Sequence, residues 1–275
     1  MSESTSVKPT KPIVLTIAGS DSGGGAGIQA DIKAISATGS YACSVITALT
    51  AQNTQGVTDI MPVPAGFVAA QLDAVFQDLD IRAVKIGMLA DSNIIRLIAE
   101  KLRQYQPQHV VLDPVMVATS GDPLIEEEAI ATLKQELLPL ATLITPNLPE
   151  AAKLIDQELP TQQEQLDSFL DQLHQLDTRS ALIKGGHLFE SSNSDDYLLS
   201  KGEPVQVFSG KRIETRNTHG TGCTLSSAIA SYLAQGQALT DAISSAKTYI
   251  TTALQHADEL NVGQGHGPVN HFYMI

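Results

Sequence analysis

The alternation of short apolar, β-branched runs with amphipathic helical stretches, sustained along nearly the whole chain, is the strongest constraint on what this sequence can fold into. Residues 13–18 read as a buried strand and 28–37 as a helix. The pairing recurs as 43–49 with 67–79, 83–86 with 94–102, and 109–112 with 126–138. A strand over 143–145 precedes helices over 149–155 and 164–176, and a strand over 181–184 follows. Region 190–214 is polar, with hairpin character around Lys201 and Gly202, and helices over 223–234 and 239–259 finish the chain. Continuous apolar strands separated by helices predict the α/β class, with a mainly parallel sheet covered by helices on both faces. No repeat, low-complexity block or linker divides this pattern, so one domain over 13–275 is expected, behind a loose tail at 1–12.

Such sheets collect ligands at the carboxyl ends of their strands. The exits here are Gly19-Ser20-Asp21, Gln52-Asn53, Gly87-Met88, Asp113-Pro114, Thr145-Pro146-Asn147 and Lys184-Gly185-Gly186-His187. Turns favour some of these residue types anyway. A lysine, several carboxylates and several glycines on one edge are more than turns require. Composition narrows the ligand: a formal charge of −13 argues against a nucleic-acid partner, though not against a nucleotide, which a local cradle can hold. No apolar run is long enough for a bilayer and the first residues lack a signal-peptide core. Two cysteines, Cys43 and Cys223, give no disulfide framework, and a cytoplasmic enzyme is expected.

The most pointed segment is Thr218-His219-Gly220-Thr221-Gly222-Cys223, just before an apolar helical run. Glycines admit a ligand close to the backbone. The free N–H groups and positive dipole end of the helix that follows suit an anion such as phosphate. Cys223 stands at the mouth, where a thiol ionises more easily; the alternative is a small, inert helix-start residue. A second glycine run, Gly23-Gly24-Gly25-Ala26-Gly27, also opens a helix, and Gly25 to Ala30 fits G-x-G-x-x-A. The acid that a dinucleotide site wants about 20 residues on is missing, and so is a P-loop lysine. A tight turn with close helix–sheet packing is the other reading.

Five further positions stay open on residue type. Asp31 shares a helical face with Ile28 and Ile35; it either bonds a ligand or sits at the stripe's edge in water. Asn147 and Glu150 form a capping-box pattern, and Glu150 also suits a hydrated Mg²⁺. Asp113 precedes a proline, as turn aspartates do. Lys184 is either a cation aimed at phosphate or a surface lysine before a glycine turn. His187 and His219 read as polar loop residues without metal-ligand spacing. Cys43 reads as a small core residue.

Taken together, these segments resemble the bacterial hydroxymethylpyrimidine/phosphomethylpyrimidine kinases of thiamine biosynthesis, within the ribokinase-like superfamily. The resemblance runs from about Ile13 to Phe272. It is carried by Thr16-Ile17-Ala18-Gly19-Ser20-Asp21, Gly24-Gly25-Ala26-Gly27-Ile28-Gln29-Ala30-Asp31 and Ser44-Val45-Ile46-Thr47-Ala48-Leu49. Further on it is carried by Lys85-Ile86-Gly87-Met88-Leu89, Val111-Leu112-Asp113-Pro114-Val115-Met116, Ile144 to Glu150, Lys184 to His187, Asn217 to Thr224 and Gly265 to Val269.

The resemblance implies a three-layer α/β/α sandwich, a homodimer, and ATP- and Mg²⁺-dependent phosphorylation of the pyrimidine hydroxymethyl group and then of the monophosphate. A monovalent cation is left open. It implies that Gly19, Asp31, Gln52, Met88 and Val115 line the pyrimidine pocket, with Asp31 and Gln52 bonding the aminopyrimidine. It assigns Asp113, Asn147 and Glu150 to the Mg²⁺–phosphate region, partly through water, and Lys184 to the phosphates. Gly220, Thr221, Gly222 and Cys223 become the anion hole, with Cys223 as base. Many sugar kinases of the superfamily carry Asp where this chain has Cys223, which counts against a sugar substrate. Pyridoxal kinase or dual specificity is the nearest rival; a non-catalytic pyrimidine-binding protein and a dinucleotide oxidoreductase rank below it.

Overall fold

The computed structural model describes residues 11–89, 91–116, 126–186 and 193–274. Within them lies a nine-stranded sheet. Its strands are β1 (Ile13–Asp21), β2 (Tyr41–Asn53), β3 (Gly56–Pro62), β4 (Ile81–Ile86), β5 (His109–Leu112), β6 (Leu143–Ile144), β7 (Ser180–Lys184), β8 (Asp196–Ser200) and β9 (Gln206–Phe208). The order is β3-β2-β1-β4-β5-β6-β7-β8-β9. From β2 to β7 all neighbours are parallel; β3, β8 and β9 are added antiparallel at the two edges.

The helices are α1 (Gly27–Ala37), α2 (Ala65–Asp78), α3 (Ser92–Tyr105), α4 (Glu127–Glu136), α5 (Leu148–Leu154), α6 (Gln163–Leu173), α7 (Thr221–Ala234) and α8 (Leu239–Gln255). Strand alternation sorts them into two layers. Val14, Ala83, Val111 and Leu182 face α1, α7 and α8. Their neighbours Leu15, Val84, Leu112 and Ile183 face the layer built from α2 to α6. Both faces of each central strand are therefore buried, which is why these strands read as unbroken apolar runs. The helix α3 shows the amphipathic pattern best: Ile94, Ile95, Ile98, Ala99 and Leu102 are buried, and Asp91 caps it through Asn93 N and Ile94 N.

The differences from the sequence expectation fall at edges and ends. The strand β3 was not expected, because most of its residues are exposed and no core face imprints a period on them. The helix expected over 126–138 stops at Glu136, and Leu138–Leu140 with Pro139 makes a 3₁₀ turn, since proline cannot continue the ladder. The last helix ends at Gln255; a separate turn, Ala257–Leu260, follows and closes on left-handed Asn261. The hairpin at Lys201 and Gly202 joins β8 to β9. The expected tail at 1–12, apart from its last two residues, lies outside the described residues, as do His187 and region 117–125.

The strand order reverses between β1 and β4: β2 lies on one side of β1, and β4 with its successors on the other. A crevice forms at such a switch, at the carboxyl ends of the strands. A bulge between Ala18 and Ser20 bends the end of β1 at this point.

Candidate active site

A cavity of about 210 Å³ opens at the switch. Its wall on the β1 side is organised by Asp21. Asp21 Oδ1 accepts from Gly23 N at 2.8 Å, and Oδ2 accepts from Gly25 N at 3.0 Å and Ala26 N at 2.9 Å. His219 Nε2 lies 2.9 Å from the same Oδ2. Burial pushes the Asp21 carboxyl up, but the bonds from His219, Ala26 and Gly23 outweigh it and hold the group below its ordinary value. The dinucleotide reading of this glycine run fails for a physical reason: the N–H groups a pyrophosphate would need at Gly23, Gly25 and Ala26 are spent on an aspartate of the chain itself.

The second glycine segment does form an anion hole. Gly220 precedes α7 with φ +78°, a left-handed conformation. A Cβ there would collide with the carbonyl oxygen of Gly25. Thr221 N donates to Thr218 O at 3.2 Å and Thr224 N to Gly220 O at 2.9 Å. The N–H groups of Gly222 and Cys223 have no protein acceptor among the described residues, and both residues line the cavity. Two free donors at the positive end of a fourteen-residue helix suit a phosphoryl oxygen.

Opposite this hole stand the charged exits of β5, β6 and β7. Lys184 Nζ donates to Asp113 Oδ1 at 2.8 Å, and Thr145 Oγ1 donates to the same oxygen at 3.0 Å. Asp113 Oδ2 carries no hydrogen bond from the described residues and lies 3.4 Å from where a Cβ on Gly222 would stand. Burial raises the Asp113 carboxyl, yet Lys184 and Lys85 hold it below its ordinary value. Burial disfavours the Lys184 ammonium, and Asp113 and Glu150 more than compensate.

Asn147 and Glu150 form the capping box. Asn147 Oδ1 accepts from Glu150 N at 2.9 Å, and Glu150 Oε2 accepts from Asn147 N at 2.8 Å. The capping and site readings of Glu150 hold together, because this buried cap also lines the cavity. Burial pushes the Glu150 carboxyl up, and Asp113 adds to the shift while Lys184 opposes it. Two carboxylates that feel each other, one with an unengaged oxygen, fit a hydrated Mg²⁺, which takes few protein ligands and completes its shell with water and phosphate. Among the described residues no group of three metal-ligating side chains offers a full cage.

The cavity therefore gathers Gly19, Gln52, Met88, Val115, Asp113, Asn147, Glu150, Lys184 and Gly220 to Cys223. Asp31 is the exception and requires a correction. It is 0% exposed and forms no part of the lining. Lys85 Nζ reaches both its oxygens, at 2.7 and 2.9 Å; Thr16 Oγ1 donates to Oδ2 at 2.6 Å and Ser227 Oγ to Oδ1 at 2.7 Å. Four short bonds occupy the carboxylate, so it offers nothing to a pyrimidine. Cys223 needs a second correction. Burial dominates there and pushes the thiol up to about 11, although Lys85 and a backbone bond from Gly27 pull it down. Sequence reasoning also missed Lys85 and His219 as lining residues. A lysine inside a buried strand was the visible sign of the first; loop composition concealed the second.

The family model described as phosphomethylpyrimidine kinase matches residues 21–270. The chain belongs to this family. It is 52% identical over 260 residues to the hydroxymethylpyrimidine/phosphomethylpyrimidine kinase of Escherichia coli, across 94% of this chain and 97% of that one. It is 53% identical over 258 residues to a bifunctional thiamine biosynthesis protein of Geobacter sulfurreducens, across 94% of this chain and 52% of that protein, so it spans about half that relative. A Bacillus subtilis pyridoxal kinase in complex with ADP superposes with a TM-score of 0.88 at 34% identity, covering 96% of this chain and 99% of that one. The fold of this phosphomethylpyrimidine kinase family member is accordingly the ribokinase-like α/β/α sandwich.

Two outcomes are expected from this geometry. Asp31→Ala leaves Lys85 as an unpaired buried charge and lowers folding stability by about 3–5 kcal/mol in urea denaturation; an unchanged midpoint would contradict the burial described. Gly220→Ala displaces the anion-hole turn and lowers kcat by about 10²-fold or more while far-UV circular dichroism stays native.

Proposed function

We propose that this protein transfers the γ-phosphoryl group of ATP to the hydroxymethyl oxygen of 4-amino-5-hydroxymethyl-2-methylpyrimidine, and then phosphorylates the resulting monophosphate. The observation that carries the reading is the pair of free N–H donors at Gly222 and Cys223, facing Lys184 and Asp113 across one cavity. In each transfer a bond forms between the substrate oxygen and phosphorus, and the bond from phosphorus to the ADP oxygen breaks. In the first transfer the hydroxyl proton goes to Cys223 Sγ as its thiolate; in the second the nucleophile is a phosphate oxygen, largely deprotonated at neutral pH, and needs no base. Phosphoryl transfer through a loose transition state depends mostly on positioning and charge neutralisation. The α7 terminus and Lys184 supply these from the chain. Mg²⁺, when bound near Asp113 and Glu150, neutralises charge on the phosphates. Gly19, Gln52, Met88 and Val115 wall the ring site, and the Gln52 amide can pair with an aminopyrimidine edge in the way glutamine amides pair with adenine.

Magnitudes set a demand on Cys223. Forming its thiolate at neutral pH from a value of about 11 costs about 5 kcal/mol. A general base returns about 10²–10⁴-fold, or roughly 3–5 kcal/mol. The two nearly cancel with the pull of Lys85 already included, so a rate gain from the base requires further positive charge in the bound complex.

The protein is read as one kinase domain over 13–275, acting in the cytoplasm as a homodimer. Among the described residues no helix is long and apolar enough to cross a membrane, and β3 exposes Ile60 and Met61 at the sheet edge, as a surface for a second copy would. Pyridoxal remains the second substrate to test, since the pyridoxal kinase fold covers nearly the whole chain.

A coupled ADP-release assay should give a higher kcat/KM for the hydroxymethylpyrimidine and its monophosphate than for pyridoxal; the reverse order would reassign the substrate. Cys223→Ala should lower kcat by about 10²-fold or more with little change in the pyrimidine KM. Unchanged turnover would remove Cys223 from the chemistry.

A further inference from the structure

The phosphoryl-transfer scheme leaves Lys85 unused, although it lines the cavity beside Cys223 and is fully buried. Alternation on β4 places Lys85 on the face of Ala83, toward α1 and α7. There Asp31 fixes its ammonium through both oxygens. Ser227, which donates to Asp31, lies four residues after Cys223 on α7 and so shares its face of the helix. The glycine at Gly87 leaves room for the ammonium: a Cβ there would stand 2.9 Å from Lys85 Nζ.

We propose that Lys85 is a positioning residue for phosphoryl transfer: its ammonium, held by Asp31, sets the charge felt by the Cys223 sulfur and governs how readily that thiol yields its proton. The proposal rests on the reading of Cys223 as proton acceptor. The groups acting on the sulfur, itself on α7, come from β4 (Lys85), from α1 (Asp31 and the N–H of Gly27), from beyond β5 (Asp113) and from the end of β7 (Lys184). Lys85 favours the thiolate, while Asp31 and Asp113 oppose it. Lys184 is drawn into its own pair with Asp113. Lys85 is thus the cation whose effect on the thiol the fold secures before any ligand arrives.

The test reads the thiol directly. In EDTA and a Cys43→Ser background, alkylation of Cys223 by iodoacetamide is followed by peptide mass spectrometry from about pH 7 to 10, since the thiolate is the reacting form. Lys85→Gln should slow alkylation at fixed pH, and Asp31→Asn should accelerate it, each by about tenfold per unit of pKa moved. The double variant D31N/K85Q retains a neutral, hydrogen-bonding pair in place of the charges and covers the case in which a single variant does not fold. It should also alkylate more slowly than the parent, because the favourable charge of Lys85 exceeds the opposing one of Asp31. A double variant reacting at the parental rate or faster, or single variants moving the rate in the same direction, overturns the proposal. Loss of activity in Cys223→Ala is scored separately, so failure of the catalytic reading and failure of the Lys85 assignment are distinguishable.

Discussion

The buried pair of Asp31 and Lys85 joins the elements that make the site. Thr16 brings in β1, Lys85 brings β4, Asp31 brings α1 and Ser227 brings α7. These elements surround the point where the strand order reverses. A buried ion pair is a poor source of net stability, since desolvation cancels much of the attraction. It is a good source of specificity of position, because any shift that opens one of its four short bonds strands a charge in a low-dielectric interior. The anion hole begins at α7, so the element that must meet the phosphoryl group with sub-ångström fidelity is the one this pair ties to the sheet.

The two glycine segments show how similar sequences serve opposite ends. One run is wound around Asp21, and its amides are consumed internally. The other presents unfilled amides to the cavity. They also lock together: the left-handed turn at Gly220 presses on the carbonyl of Gly25, and His219 reaches Asp21. The first loop is therefore the mould against which the second is shaped. This division lets a chain with a formal charge of −13 hold anions, since the unfilled amides at the N-terminus of α7 face the cavity whatever the global balance.

Much of this was legible in the sequence because burial writes a period into it. Central strands with both faces covered read as apolar runs, and α3 reads as an amphipathic helix, so the layers and their order of appearance follow. The exits of those strands named most of the lining residues, since a parallel sheet sends all its carboxyl ends to one edge. Position β3 escaped because an exposed edge strand carries no such imprint. Asp31 was misplaced because a carboxylate on an apolar helix face announces that it has a partner without saying which. The partner was itself visible as a lysine inside a buried strand, and two misplaced opposite charges answer each other. What no spacing conveys is distance across the fold: Thr16, Lys85 and Ser227 meet Asp31 only after β1, β4 and α7 are assembled. His219 was similarly hidden, because its role is set by Asp21, almost two hundred positions earlier.

The same charge arithmetic explains why a thiol suits the position of the base. Asp31 and Asp113 are each paired with a lysine, and Glu150 is drawn toward its neutral form by burial and by Asp113. A further carboxylate at the α7 terminus would face these acids with no unpaired lysine among those described in the cavity. A protonated thiol adds no charge to the resting site and costs little to bury. To act as base it must first release its proton; the thiolate then takes up the hydroxyl proton and returns to the neutral form. The burial that makes Cys223 a reluctant acid is the same burial that strengthens the attraction of its thiolate to Lys85. A neutral resting thiol and a stabilised thiolate thus follow from one arrangement, in which the compensating cation is built into the fold ahead of the substrate.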